Sequence, residues 1–312
     1  MTASQPLTVA TEGDRANWNP LDHPLCFSRP NLIAYSTWLS HIPLAMLVVD
    51  LLRPATIVEL GTYRGVSYCA FCQAVKSLGL ETRCFAIDTW QGDIHSGLYG
   101  GEVLSDLRVY HDSLYGGFST LLQCTFDDAL VRFEDRSVDL LHIDGLHTYE
   151  AVRHDFEAWL PKLSDRGVVL FHDIAEHKDD FGVWRLWAQI SEQYPYFDVP
   201  HGHGLGVLAI GKLAVPALSP LVRTEGEGRA RLQQFFGGVG RQWELQQLLD
   251  TTSRRVSQQA DALSWLQQEL ADYGRMRDML PVRGLRALNR YGFWGAVRKA
   301  CRKSARTGEG AV

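Results

Sequence analysis

Two short apolar runs in this chain of 312 residues end in acids and histidines. The first opens the segment LLHIDGLHTYEAVRHDFEAW (Leu140 to Trp159), and the second is VVLFHDI (Val168 to Ile174). Asp144 and His147 follow the first run, and His172 and Asp173 close the second. Each run has the composition of a buried parallel strand, and in open α/β sheets ligands bind just beyond the carboxyl ends of the strands. Two such strands side by side would bring two carboxylates and two imidazoles to one rim. Carboxylate oxygens and imidazole nitrogens are metal ligands, and imidazole titrates near neutral pH. The rim is therefore a candidate metal or acid–base site.

A second group lies upstream. VELGTYRGVSY (Val58 to Tyr68) sets Gly61 and Gly65 between a strand and a helix, where small residues let a ligand approach the backbone. The G-x-x-x-G spacing departs from the dinucleotide fingerprint G-x-G-x-x-G, which argues against an NAD enzyme. Glu59 stands at the strand end, where a carboxylate could accept from an ammonium group. Asp88 closes the next strand, placed for a ribose diol. Taken singly, these residues also read as a tight βα turn and a loop cap. Their coincidence with the histidine–carboxylate rim favours a ligand site.

The elements that must position these residues alternate along the chain. The spacing predicts a helix from Tyr35 to Leu52, stopped at Arg53-Pro54, and a strand over Thr56 to Leu60. A helix follows from Val66 to Leu78, then a strand from Cys84 to Ile87 ending at Asp88. A long aromatic, Gly-rich loop runs from Thr89 to Gly101, and a strand is expected near Leu121 to Thr125. Further helices are predicted over Asp127 to Phe133, Tyr149 to Leu163 and Phe181 to Gln193. Strands are predicted over Val138 to Ile143, Gly167 to His172, near Phe197, and over Leu205 to Ile210. This alternation argues for a mostly parallel, doubly wound sheet. His142 should point to the same face as Asp144 and be buried, and His154 should be exposed. His201 and His203, in a Gly-rich connection near the sheet edge, are candidates for a pocket wall.

A hydrophobic content of 46% with 21% charged residues describes an ordinary globular chain. The six cysteines show no disulfide framework, and Cys69-x-x-Cys72 lacks a second pair for zinc, so both read as helix core positions. No basic, apolar secretory pattern opens the chain and no apolar run is long enough to span a bilayer, so a cytoplasmic location is expected. Residues 281–312 carry eight Arg or Lys against Glu309, or +7, so that with a net charge of −5 the first 280 residues carry −12. This basic tail, interleaved with Leu285, Phe293 and Trp294, suits an anionic membrane surface, possible on the inner membrane face. An acidic body makes nucleic acid an unsuitable partner. From Leu245 to Tyr273 a 4-3-4-3 spacing persists for about four heptads, with Thr252 and Gln259 at inward positions, as in a coiled coil that would make the chain a homo-oligomer.

Taken together, VELGTYRGVSY, AIDTWQGD and HIDGLHTYEAV…VVLFHDI resemble class I S-adenosylmethionine-dependent methyltransferases. The likeness is to the branch of macrocin-type sugar O-methyltransferases and cephalosporin-hydroxylase-like proteins found with glycosyltransferases. It implies a Rossmann-like α/β fold, a seven-stranded mostly parallel sheet with its last strand antiparallel, followed here by a C-terminal helical extension. The resulting organisation is an arm over 1–34, a methyltransferase domain over 35–212, a helical segment over 213–280 and the basic tail over 281–312. The resemblance implies that the Glu59–Gly65 turn holds the methionine part of S-adenosylmethionine and Asp88 its ribose, with Trp90, Thr125 and Phe126 near the adenine. It implies Asp144 and Asp173 as metal ligands, His147 as general base, and a sugar or glycan hydroxyl as acceptor. Two positions depart from the pattern. Tyr63 replaces the middle glycine, and His172 stands where the macrolide-sugar enzymes carry a carboxylate. Magnesium is the first expectation, but an imidazole from His172 tilts the donor set towards manganese, zinc or iron. A metal-dependent oxygenase and a noncatalytic scaffold remain as readings from other classes.

Overall fold

The computed structural model describes Trp18 to Met279, together with Arg290, Gly292, Gly295 and Arg298. Half of the expected arm (1–17) and, apart from those four positions, the basic tail lie outside the described residues. Two compact units divide the chain, Met1–Gln247 and Leu248–Val312.

The first unit is built on seven strands: β1 (Thr56–Leu60), β2 (Arg83–Asp88), β3 (Ser119–Gln123), β4 (Val138–Ile143), β5 (Leu163–His172), β6 (Tyr196–Val199) and β7 (Leu205–Ala209). Their order in the sheet is β3-β2-β1-β4-β5-β7-β6. Pairings from β3 through β5 are parallel, and β7 runs antiparallel to both of its neighbours. This is the α/β arrangement expected from the sequence, with the last strand in the chain reversed. Strands β1 and β4 are buried along their whole length, because helices cover both faces. That is why they read as continuous apolar runs with no alternation.

One face is covered by α1 (Ile42–Leu52), α2 (Val66–Ser77) and α3 (Gly101–Tyr115), around Trp38, Phe71 and Leu140. The other is covered by α4 (Tyr149–Trp159) and α5 (Val183–Ile190), around Trp159, Phe171 and Trp187. Fully burying side chains of this kind contributes roughly 1.5–3 kcal/mol each before conformational entropy is counted. Cys69 and Cys72 sit in the first of these cores, as their place in an apolar run suggests.

Several boundaries differ from the sequence expectation for identifiable reasons. The helix expected from Tyr35 divides into a 3-10 turn, Thr37–His41, and α1. Pro43 lies in the first turn of α1, where its missing N–H costs nothing, but it cannot continue an α-helix entered from Tyr35. Strand β3 ends at Gln123 because Thr125 caps the next turn, its hydroxyl accepting from the Asp128 amide at 3.1 Å. Strand β5 starts at Leu163, before a register shift against β4 that separates its first pairing from the rest.

The last helix, α6 (Gly226–Met279), begins inside the first unit. There Phe236 and Trp243 are buried, and Arg229 bonds Asp198 on β6 at 2.9 Å. In the second unit the heptad positions Leu249, Val256, Leu263, Leu266 and Leu270 are exposed. No helix among the described residues is long and apolar enough to cross a membrane.

Candidate active site

Register brings the two ends of the site together. Glu59 on β1 pairs with His142 on β4, and Ile143 on β4 pairs with Phe171 on β5. The residues that follow, Asp144 and His172, therefore leave neighbouring strands side by side, and Asp173 comes next with a left-handed φ of 60°. A cavity of about 550 Å³ opens over these strand ends. Gly61, Gly65, Asp88, Thr125 and Phe126 line it, together with the rim residues Asp144, His147, His172 and Asp173.

The turn after β1 is a backbone construction. Gly61 has φ 85°, and a Cβ there would stand 2.1 Å from the carbonyl oxygen of Asp144. The Gly61 amide donates to Ile87 on β2, and the Asp144 amide donates to Leu60 on β1, both at 2.9 Å. Asp88 accepts three backbone N–H groups, from Thr62 (2.9 Å), Tyr63 (2.8 Å) and Trp90 (2.7 Å). A carboxylate has about four acceptor sites, so about one remains for a ligand. Tyr63, at the position of the absent glycine, adopts φ 48°, and its ring lies 4.9 Å from that of Tyr99.

Two sequence-predicted residues stand outside the cavity wall. Trp90 is buried, its indole N–H donating to the Tyr63 carbonyl at 2.9 Å, so it braces the turn from behind. Glu59 is fully buried beneath the turn and bonds His142 Nδ1 at 2.8 Å; Trp38 Nε1 donates to the other ring nitrogen of His142 at 3.2 Å. Burial raises the Glu59 pKa against the opposing pull of His142, and Glu59 Oε1 has no hydrogen-bond partner.

The rim is a construction of side chains. His147 Nε2 lies 2.9 Å from Asp173 Oδ2 and 3.5 Å from Asp144 Oδ1. His172 Nδ1 lies 3.1 Å from Asp144 Oδ1 and 3.4 Å from Asp173 Oδ2, and its Nε2 faces the Gly202 carbonyl at 3.2 Å. Burial alone would raise both acids, but the neighbouring histidines, His172 foremost, outweigh it and hold both well below the usual carboxylate range. Burial would lower His147, but Asp144 and Asp173 outweigh it and push its pKa up to about 9. The ligand atoms of Asp144, His147 and Asp173 all lie within 4.8 Å of one another, a spacing that could hold a metal ion. The expected set named His172 as the third ligand; its Nδ1 faces both acids, but that close group contains His147 instead.

His142 is buried and His154 exposed, as their positions implied. His203 joins the wall, with Nδ1 3.2 Å from Asp173, whereas His201 stacks on His41 behind it. Sequence reasoning missed His95 and Phe181. Both come from loops, and only the fold carries them to His147; the one signal available was the His of the segment QGDIH, two residues past an acid.

Residues 58–174, which contain both the glycine turn and the rim, match a family model described as a methyltransferase domain. The match makes this region, on its Rossmann-like α/β fold, similar to a methyltransferase domain. A protein of Sinorhizobium fredii, the uncharacterized protein y4gI, is 50% identical over 205 residues, which cover 66% of this chain and 22% of that protein. The chain thus spans about a fifth of the length of this curated relative. Among solved structures, the O-methyltransferase TomG of Streptomyces achromogenes, bound to S-adenosylmethionine, is similar with a TM-score of 0.43 and 14% identity, over 66% of this chain and 92% of that one. The Podospora anserina methyltransferase PaMTH1, bound to S-adenosylhomocysteine, is similar with a TM-score of 0.42 and 14% identity, over 67% of this chain and 99% of that one.

Proposed function

We propose that the chain is an S-adenosylmethionine-dependent O-methyltransferase acting on a sugar or glycan hydroxyl with the help of a divalent metal. The observation that carries this reading is the meeting, in one cavity, of the Gly61–Gly65 turn and the Asp144–His147–Asp173 rim inside the region that matches a methyltransferase domain. The backbone turn suits a bulky donor lying close to the main chain, with Asp88 offering its remaining acceptor site to a ribose hydroxyl. Glu59 lies beneath this turn, outside the cavity wall, and supports the donor end through its bond to His142 and not by direct contact. Thr125 and Phe126 stand at the adenine end.

Asp144 and Asp173 would hold the metal, with His172 Nδ1 beside them; two low-pKa carboxylates and an imidazole fit magnesium or manganese, and iron or zinc by their nitrogen. When bound, such an ion lowers the pKa of a coordinated hydroxyl. His147 lines the cavity and turns Nε2 to the rim; a cation between Asp144 and Asp173 would offset the charge that keeps it protonated, and its neutral form would accept the hydroxyl proton as general base. The surrounding walls, Phe181 among them, position the acceptor and exclude water, which supplies most of the rate. The sugar as acceptor rests on the resemblance of HIDGLHTYEAV and VVLFHDI to the sugar-modifying branch.

The test is calorimetric titration with S-adenosylmethionine, with and without magnesium, followed by methyl transfer to a panel of sugar acceptors. Micromolar donor binding and metal-stimulated transfer are expected; absence of donor binding would sink the reading. A second reading comes from the same group: the one histidine and two aspartates of Asp144–His147–Asp173 are close in composition to the two-histidine, one-carboxylate facial triad of non-haem iron oxygenases. Stoichiometric iron and oxygen consumption without donor binding would identify it. Self-association through Leu245–Tyr273, a cytoplasmic location and contact of the basic tail with an anionic membrane belong to the same proposal.

A further inference from the structure

Helix α6 carries glycine at positions 237, 238 and 240, although glycine is the poorest helix former after proline. The contact face of the helix within the first unit gives a reason for one of them. Arg229 and Gln233 bond Asp198 on β6 at 2.9 and 3.0 Å, and Phe236 and Trp243 are buried in the core around Trp38. With Gly240 these residues follow one another at steps of 4, 3, 4 and 3, so all five lie on one side of the helix. At Gly240 a Cβ would stand 2.0 Å from the carbonyl oxygen of Ser40. The backbone of α6 therefore rests directly on the 3-10 turn Thr37–His41. Gly238 faces open space.

This seat holds the back of the rim. His41, the residue after Ser40, is fully buried, and its Nε2 lies 2.8 Å from the Gly202 carbonyl. The same carbonyl faces His172 Nε2 at 3.2 Å. A carbonyl only accepts and has two lone pairs, so His41 and His172 both donate to it and fill it. The loop that carries Gly202 is pinned at two further points: His201 stacks on His41 at 5.2 Å, and the His203 carbonyl accepts the Ala175 amide at 2.8 Å. With Nε2 held in this way, the other ring nitrogen of His172 stands 3.1 Å from Asp144 and 3.4 Å from Asp173. We propose that Gly240, His41 and Gly202 are positioning residues: the seat of α6 on Ser40 and the His41–Gly202 bond together aim His172 at the two acids of the rim. All three lie outside residues 58–174, so the support comes from parts of the chain beyond the methyltransferase match. The consequence for metal binding rests on the reading of the rim as a metal site. An imidazole bonded through its far nitrogen to a backbone carbonyl is the usual arrangement around a metal, and loss of such support typically lowers metal affinity 10–100-fold.

The experiment combines crystal structures of the metal-free full chain with calorimetric titration of manganese and thermal melting. His41→Phe keeps a flat ring in the core and removes only the bond to Gly202, because His41 Nδ1 has no hydrogen-bond partner among the described residues. It should fold with a melting temperature near that of the wild type. In it the His172 ring should turn out of reach of Asp144, and manganese affinity should fall 10–100-fold. Gly240→Ala should give the same two changes with a loss of stability, whereas Gly238→Ala, on the same helix in open space, should give neither. A folded His41→Phe protein with His172 still beside both acids would overturn the proposal, whatever its affinity. A wild type that binds no manganese would remove the metal reading alone; the position of His172 in His41→Phe would still decide the proposal.

Discussion

The two sides of the cavity are made from different materials. The donor side is a backbone structure: Gly61 approaches the Asp144 carbonyl, and the Asp88 carboxylate spends three acceptor sites on main-chain amides. The opposite rim is made of side chains whose charges hold one another, with His147 and His172 set between Asp144 and Asp173. Damage on the first side should be steric and global, and damage on the second chemical and local. The two meet where the Asp144 main chain crowds Gly61.

The largest effect should come at that point. Gly61→Ala places a Cβ against main-chain atoms that cannot move aside, at a φ that alanine resists, and should cost at least about 3 kcal/mol. Melting temperature and donor affinity should fall together; a stable variant that binds donor normally would show that the two sides are not so tightly joined. Next, His147→Ala should lower turnover by roughly 10²–10⁴-fold with donor affinity and folding nearly unchanged. A stable His147→Ala protein with wild-type turnover would remove the base from the rim. Asp144→Ala should abolish magnesium binding in calorimetry while S-adenosylmethionine still binds, since the donor turn uses the Asp144 main chain and not its carboxylate.

The rim should also carry a pH signature. His147 is raised from an ordinary 6.5 to about 9 by its two acids, against the lowering by burial. Its ion pairs thus contribute stability that is fully present below about pH 6.5 and lost as the pH rises through about 9, on the order of 3 kcal/mol in metal-free protein. Thermal melting across that window should show the loss, and His147→Gln should flatten it. An unchanged slope in the variant would assign the effect elsewhere. The smallest effect concerns neither side. Deleting residues 248–312 should convert the chain to a monomer in sedimentation while donor binding persists, because Phe236 and Trp243, buried in the first unit, are retained. Identical sedimentation of both forms would end the coiled-coil reading.

Much of this was legible in the residues. Alternating apolar runs and glycine turns fixed the order of strands and helices, because a buried parallel strand must be apolar on both faces and a βα turn needs residues free of Cβ. The acids and histidines at the ends of β4 and β5 could be placed on one rim for the same reason: strand ends are where an open sheet binds ligands. The resemblance added the donor and the roles. Boundaries were less legible where a cap or a proline decided them, as at Thr125 and Pro43, since such choices compete with propensity over one or two residues.

What the sequence determined by itself is the set of chemical groups and the strand ends that carry them: Gly61, Asp88, Asp144, His147, His172 and Asp173 all reach the cavity. Only the tertiary structure decided which atoms meet. It turned Glu59 inward to His142 and Trp90 behind the turn, because pairing register and side-chain packing, not position in a motif, choose the direction of a buried group. It set His147 closest to Asp173, 26 positions away in the chain. It also carried His95 and Asp180, from two loops with no periodic signal, to the far side of the same ring. Local pattern specifies elements because it acts through neighbours along the chain, whereas the site depends on contacts between distant loops that no local pattern encodes.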